Sequence, residues 1–163
     1  FSEPGSGAEF KIYFPIADDE TSEDSENSLN RNGSGYAETG TERILLVDDE
    51  ETILKMETQT LERIGYEVTA LSCPVQALKV FTRSPDRFDL VITDMSMPLM
   101  LGDQLIQKIF DVRSDIPVIL CTGFNDKMTP ERASSIGIRE VVLKPVVLRE
   151  LTKTIRMVLD TEI

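Results

Sequence analysis

Short, continuous apolar runs alternate along this chain with longer stretches in which apolar positions recur every three or four residues. Ile44-Leu45-Leu46-Val47 is an uncharged run of the first kind and predicts a buried parallel strand. Residues 51–64 place Ile53, Leu54, Leu61 and Ile64 at helical spacing, and Gly65 is the expected left-handed stop. Glu67 to Leu71 predicts a second strand. Pro74 opens a helix through Val75, Leu78 and Phe81, with Ser72 or Cys73 near its cap. Leu90-Val91-Ile92-Thr93 predicts a third strand, and Asp94 follows at once. Gly102 to Arg113 reads as a helix with Leu105, Ile109 and Val112 on one side. Pro117 to Cys121 is the fourth strand, and a short helix starts at Thr129-Pro130-Glu131 and ends at Gly137. Glu140 to Leu143 is the fifth strand. Val147 to Leu159 is a last helix, with Leu148, Leu151, Ile155 and Val158 at core spacing.

Strands alternating with helices in this way predict an α/β fold with a parallel sheet covered on both faces. Right-handed crossovers leave few topologies, and a doubly wound five-stranded sheet of order 2-1-3-4-5 is expected. Its switch point lies between the first and third strands, and ligands of such sheets sit at the C-terminal strand ends. No output domain is expected after the last helix, beyond which only Thr161-Glu162-Ile163 remain.

The N-terminal part has a different texture. Residues 1–7 are turn-rich, and Ala8 to Pro15 alternates, with Phe10, Ile12 and Phe14 on one face of an expected strand. One strand cannot bury its own face, so it needs a partner. Residues 17–40 are Asp, Glu, Ser, Asn and Gly with almost no apolar residue, the composition of a flexible acidic linker. The expected division is therefore 1–16, a separate strand-bearing piece; 17–40, linker; and 41–163, the α/β domain.

Charge sharpens this division. The net charge is -12, and residues 1–40 hold nine acids against two bases. Such a chain is not expected to bind nucleic acid through a basic surface. No apolar run approaches the roughly 20 residues of a membrane span, and no signal peptide is visible. Cys73 and Cys121 fit reduced thiols of a cytoplasmic protein better than a disulfide framework. Histidine is absent, which removes imidazole catalysis and imidazole metal ligands from this chain.

The candidate chemistry lies at the predicted strand ends. The first strand ends in Asp48-Asp49, with Glu50 next, and the third in Asp94. If these strands are neighbours, several carboxylates converge and repel one another. A hard divalent cation would offset that repulsion, and an oxygen-only set without His or Cys suits Mg2+ or Mn2+. The fourth strand ends in Thr122, a hydroxyl, and the fifth in Lys144, a cation. Carboxylates, a metal, a hydroxyl and an ammonium together suit phosphoryl chemistry with Asp94 as nucleophile. Each piece alone has a plainer reading: an Asp-Asp turn, a threonine at a strand end, a Lys-Pro turn, methionines that only pack. Their coincidence at one predicted edge supports the chemical reading.

These pieces make residues 43–160 resemble a receiver domain of two-component signalling. The matching stretches are Ile44-Leu45-Leu46-Val47-Asp48-Asp49-Glu50, Asp94 with Met97-Pro98-Leu99-Met100-Leu101-Gly102, Thr122-Gly123 and Lys144-Pro145. The resemblance implies a flavodoxin-like receiver fold in which Asp94 accepts phosphate from a phosphohistidine-bearing kinase or phosphotransfer domain. It implies that Asp49, Asp94 and the Ser96 carbonyl bind Mg2+, with Asp48 acting mainly through water. It also implies that Thr122 and Lys144 contact the phosphoryl oxygens, that the domain assists its own phosphorylation and dephosphorylation, and that the Lys144-Pro145 bond is cis. Many receivers carry an aromatic residue three positions before the lysine; here it is Val141, so the familiar coupling of threonine to a ring is not expected. Phe1 to Pro15 is similar to the last glycine turn and final strand of a histidine kinase ATP-binding domain. That likeness implies a hybrid sensor histidine kinase, a parent phosphotransferase that can be membrane-attached, with its receiver in the cytoplasm.

Two other readings stand beside this one. An aspartate-nucleophile phosphatase usually carries a second aspartate two residues after the nucleophile, where this chain has Ser96. A pseudo-receiver or stand-alone response regulator would act through protein contacts, with weak homodimerisation left open.

Overall fold

The computed structural model describes residues 2–3, 7–8, 39–124 and 128–161. The expected strand over 8–14 and the expected linker over 17–40 lie almost wholly outside the described residues. The chain divides into two units, Phe1–Gly35 and Tyr36–Ile163. In the first, β1 (Ser2–Glu3) pairs antiparallel with β2 (Gly7–Ala8), with Ser2 opposite Ala8 and Glu3 opposite Gly7.

The second unit is an α/β sandwich. Its strands are β3 (Arg43–Val47), β4 (Glu67–Leu71), β5 (Leu90–Asp94), β6 (Val118–Thr122) and β7 (Glu140–Leu143). They form one parallel sheet of order β4-β3-β5-β6-β7, which is 2-1-3-4-5 counted along the chain, as expected. The helices are α1 (Glu51–Arg63), α2 (Pro74–Arg83), α3 (Gly102–Phe110), α4 (Pro130–Ile136) and α5 (Leu148–Asp160).

Successive strand residues point to opposite faces, so each apolar run feeds two cores. Leu45, Val47, Val91, Val118 and Leu120 join side chains of α2, α3 and α4, including Phe81, Leu105, Ile109 and Ala133. Ile44, Leu46, Leu90, Ile92, Ile119 and Cys121 join Leu54 and Leu61 of α1 and Leu151, Ile155 and Val158 of α5. The three inner strands are buried on both sides, which explains their lack of polar alternation.

Local signals end the helices as expected, with one exception. Gly65 follows α1 with φ 107°, and Gly137 ends α4 with φ 95°, both in the region that favours glycine. Pro74 and Pro130 occupy first-turn positions, and the Thr129 hydroxyl accepts the Arg132 amide at 3.2 Å as a cap. The exception is α3, which stops at Phe110 and not at Arg113. Arg113 turns away to donate to the Pro85 and Phe88 carbonyls at 3.2 and 2.7 Å, and Val112 is 42% exposed. Ile116, 2% exposed, belongs to the core on the α3 side. A 3-10 turn over Pro85–Arg87, not expected from the pattern, carries the chain into β5.

The segment before β3 is built into the domain. Gly40 donates its amide to the Ile64 carbonyl at 3.3 Å, and the Glu42 carbonyl accepts the Glu67 amide at 3.0 Å. Glu42 pairs with Arg156 of α5 at 2.6 Å, and Gly40 lies so close to the Tyr66 ring that a Cβ would be 2.1 Å from it. A protein beginning at Ile44 is therefore expected to be less stable than one beginning at Thr39, by about 2 kcal/mol for the lost bonds and part-buried pair. Chemical denaturation of the two proteins checks this; equal midpoints would show that residues 39–43 contribute nothing.

Candidate functional site

Strand register builds the site. Val47 lies opposite Thr93, so Asp48 and Asp94 emerge side by side where β3 and β5 end. Asp94 lies opposite Cys121, and Thr122 opposite Leu143, so Thr122 and Lys144 come next along the same edge. The Lys144 amide also donates to the Thr122 carbonyl at 2.8 Å. All the chemically interesting residues named from the sequence thus arrive at the C-terminal edge, next to the switch point.

Asp48 and Asp94 are 4% and 6% exposed, an unusual degree of burial for carboxylates. Lys144 makes it tenable: its Nζ lies 2.8 Å from Asp48 Oδ2 and 2.8 Å from Asp94 Oδ1. The second oxygens are also used. Asp48 Oδ1 accepts the Glu50 amide at 2.8 Å, and Asp94 Oδ2 accepts the Ser96 amide at 3.2 Å. Burial pulls the Lys144 ammonium down, but its hydrogen bonds to Asp48 and Asp94 outweigh that and hold its pKa above the usual lysine range. The Lys144-Pro145 bond is cis, as expected.

Asp49 is exposed beside this buried pair. Asp48, Asp49 and Asp94 each offer an oxygen, and the three oxygens lie within 4.8 Å of one another. Three carboxylates so close, with no nitrogen or sulfur ligand among them, fit a hard divalent cation such as Mg2+. Thr122 is 2% exposed and its hydroxyl donates to the Gly123 carbonyl at a long 3.4 Å. Ser96, two residues after Asp94, is exposed. Phe124, two residues after Thr122, is 94% exposed. Val141 is half-buried against the core shared with α4.

Two features of the site were not read from the sequence. Gly102 opens α3 directly against the end of β5: its amide donates to the Met95 carbonyl at 2.9 Å, and a Cβ would lie 2.2 Å from the Asp94 carbonyl oxygen. Glu57 is the other. It falls on the buried stripe of α1 between Leu54 and Leu61 and is 3% exposed. The alternation of β3, β5 and β6 sends Asp48, Asp94 and Cys121 to the same face. Burial first, then the negative charge of Asp48, push the Glu57 carboxyl up to about 7; Lys144 pulls the other way, and Asp94 adds a lesser upward push. The signal was available in the i, i+3, i+7 spacing of Leu54, Glu57 and Leu61, which counting apolar residues alone passes over.

Comparison with known proteins agrees with this geometry. Residues 44–156 match the family described as the response regulator receiver domain. The rice protein "Two-component response regulator ORR24" (Oryza sativa subsp. indica) is 37% identical over 109 residues, covering 67% of this chain and 17% of the relative. The Arabidopsis thaliana protein "Two-component response regulator ARR11" is 32% identical over 118 residues, 72% of this chain and 22% of that one. This chain thus spans about a fifth of the length of these curated relatives. A receiver domain structure from Clostridium thermocellum superposes with a TM-score of 0.69 at 34% identity, covering 73% of this chain and 94% of that one. A CheY-like receiver domain protein from Methanospirillum hungatei JF-1 gives 0.67 at 30% identity, covering 74% and 95%.

The raised Glu57 pKa has a consequence for stability. A carboxyl whose folded pKa exceeds its unfolded value of 4.5 adds nothing unfavourable below pH 4.5, where it is neutral in both states. As pH rises from there to about 7, the unfolded chain ionises first and the folded state loses stability relative to it. Without metal, Glu57→Gln should match the wild type below pH 4.5 and exceed its stability by about 2 kcal/mol above pH 7, allowing for partial solvent screening. Denaturation midpoints of both proteins across this range check it, and a pH-independent difference would contradict it.

Proposed function

We propose, from the premise that the chain belongs to the response regulator receiver domain family, that Asp94 accepts a phosphoryl group from a phosphohistidine in a two-component relay. Receiver domains of response regulators work with histidine kinases or phosphotransfer proteins, so the donor is of that class. The observation that carries the proposal is the shared Lys144: one cation within 2.8 Å of both buried aspartates, at the edge where Asp49 and Thr122 also emerge.

In the proposed reaction an Asp94 carboxylate oxygen attacks the phosphorus of the phosphoimidazole. A P–O bond forms, the P–N bond breaks, and the imidazole nitrogen leaves with the bonding pair. Lys144 faces Asp94 Oδ1 and would neutralise charge on a phosphoryl oxygen there. Thr122 would donate its hydroxyl to another oxygen, in place of its long bond to Gly123. Gly123 leaves space for the donor imidazole, or later for water. Mg2+ would be held by Asp49, Asp94 and the Ser96 carbonyl, with Asp48 acting through water; when bound, it supplies charge neutralisation to the transferring group. With Val141 at the position where many receivers carry a ring, the response is expected along 123–137 and not as a side-chain flip at 141.

The chain is further proposed to be part of a hybrid sensor histidine kinase, with residues 1–16 a remnant of the ATP-binding domain and 17–40 a linker. The support is the likeness of Phe1 to Pro15 to the last strand of such a domain. The alternative of a response regulator without an attached kinase is favoured by the plant relatives, which carry that name.

Intact mass spectrometry after treatment with acetyl phosphate and Mg2+ tests the acceptor assignment. The wild type should gain the mass of one phosphoryl group, and Asp94→Asn should gain none. A gain surviving in Asp94→Asn, or none in the wild type, would overturn the assignment.

A further inference from the structure

We propose that the Asp103–Arg132 ion pair is a latch that holds α4 in the resting position, against which phosphorylation of Asp94 must work. This rests on the phosphoacceptor reading above. Asp103, the second residue of α3, is 6% exposed although it is a carboxylate. Its Oδ2 accepts Arg132 Nη2 at 3.0 Å across 29 residues of sequence, while its Oδ1 is buried with no hydrogen-bond partner among the described residues. A carboxylate held in that way depends on its one cation, and losing the cation leaves a buried charge unpaired.

The two ends of the pair belong to elements that the site treats differently. Asp103 follows Gly102, whose close packing on the Asp94 carbonyl and bond to the Met95 carbonyl pin the start of α3 to the acceptor strand. Arg132 sits in the first turn of α4, its amide on the Thr129 cap at 3.2 Å. Among the described side chains of α4, Ala133 alone is buried and Ile136 is half-buried, so apolar packing holds this helix weakly. The chain runs from Thr122 into α4. If Thr122 closes on a phosphoryl group, the first turn of α4 is drawn along while the start of α3 stays pinned. The Asp103–Arg132 distance then cannot be kept. A contact made in only one of two forms biases the equilibrium toward that form, and removing it biases the other.

Binding of beryllofluoride, a phosphoryl mimic, to the full chain in the presence of Mg2+ tests the latch by calorimetry. Arg132→Ala and Asp103→Asn should each bind it about fivefold more tightly than the wild type, the fold-change of an ion pair worth about 1 kcal/mol. The double variant should bind no tighter than either single one, and Arg132→Lys should fall nearer the wild type. Hydrogen exchange over 130–137 should rise in the unliganded single variants. Asp103→Asn removes the buried charge together with its need for a partner, so it serves if Arg132→Ala does not fold. A pair that merely stabilises the fold would lower the melting temperature without tightening beryllofluoride. Unchanged or weaker binding by folded variants overturns the latch and leaves the phosphoacceptor reading in place. No binding by the wild type overturns both.

Discussion

Two buried carboxylates at one sheet edge depend on a single ammonium. Asp48 and Asp94 would repel each other across adjacent strand ends, and neither is open enough for water to screen it. Lys144 bridges them at 2.8 Å on each side, and its own place is set by the backbone bond from its amide to Thr122. An arrangement of this kind adds little to stability, since desolvation offsets most of the attraction. What it does is hold two carboxylates and an ammonium together at the C-terminal edge of the sheet.

The sheet makes the arrangement reproducible. Parallel pairing in register brings the ends of β3, β5, β6 and β7 to a common edge, and period-two alternation decides which side chains share a face. α1 leaves from the acidic edge and brings Glu57 to the face shared by Asp48, Asp94 and Cys121. α3 is packed so closely on Asp94 that only glycine fits its first position. The end of β5 is therefore closely backed on one side, while α4 is held by a short cap, sparse apolar packing and an ion pair.

Most of this was legible from the chain because the signals were local. Apolar runs marked the strands, residues just after them marked the edge, and Gly65, Pro74, Pro130 and Gly137 marked helix boundaries by fixed backbone preferences. Part of what was missed depended on partners distant in sequence. Arg113 turns away from α3 because the Pro85 and Phe88 carbonyls are there to receive it, which no periodicity reports. Asp103 and Arg132 each look like ordinary surface charges until the fold brings them together. Glu57 broke the apolar pattern and was passed over, although its spacing from Leu54 and Leu61 placed it on the buried stripe.

Asp48, Asp49 and Asp94 crowd three carboxylate oxygens within 4.8 Å of one another, a set that a hard divalent cation would complete. A ligand that binds only the folded state raises its stability with concentration. The most direct measurement is the thermal midpoint of the chain over a series of magnesium chloride concentrations, set against sodium chloride at equal ionic strength. If these carboxylates hold Mg2+, the midpoint climbs with Mg2+ beyond the effect of salt, and Asp49→Ala loses that climb. The same midpoint in both salts throughout the series would contradict it.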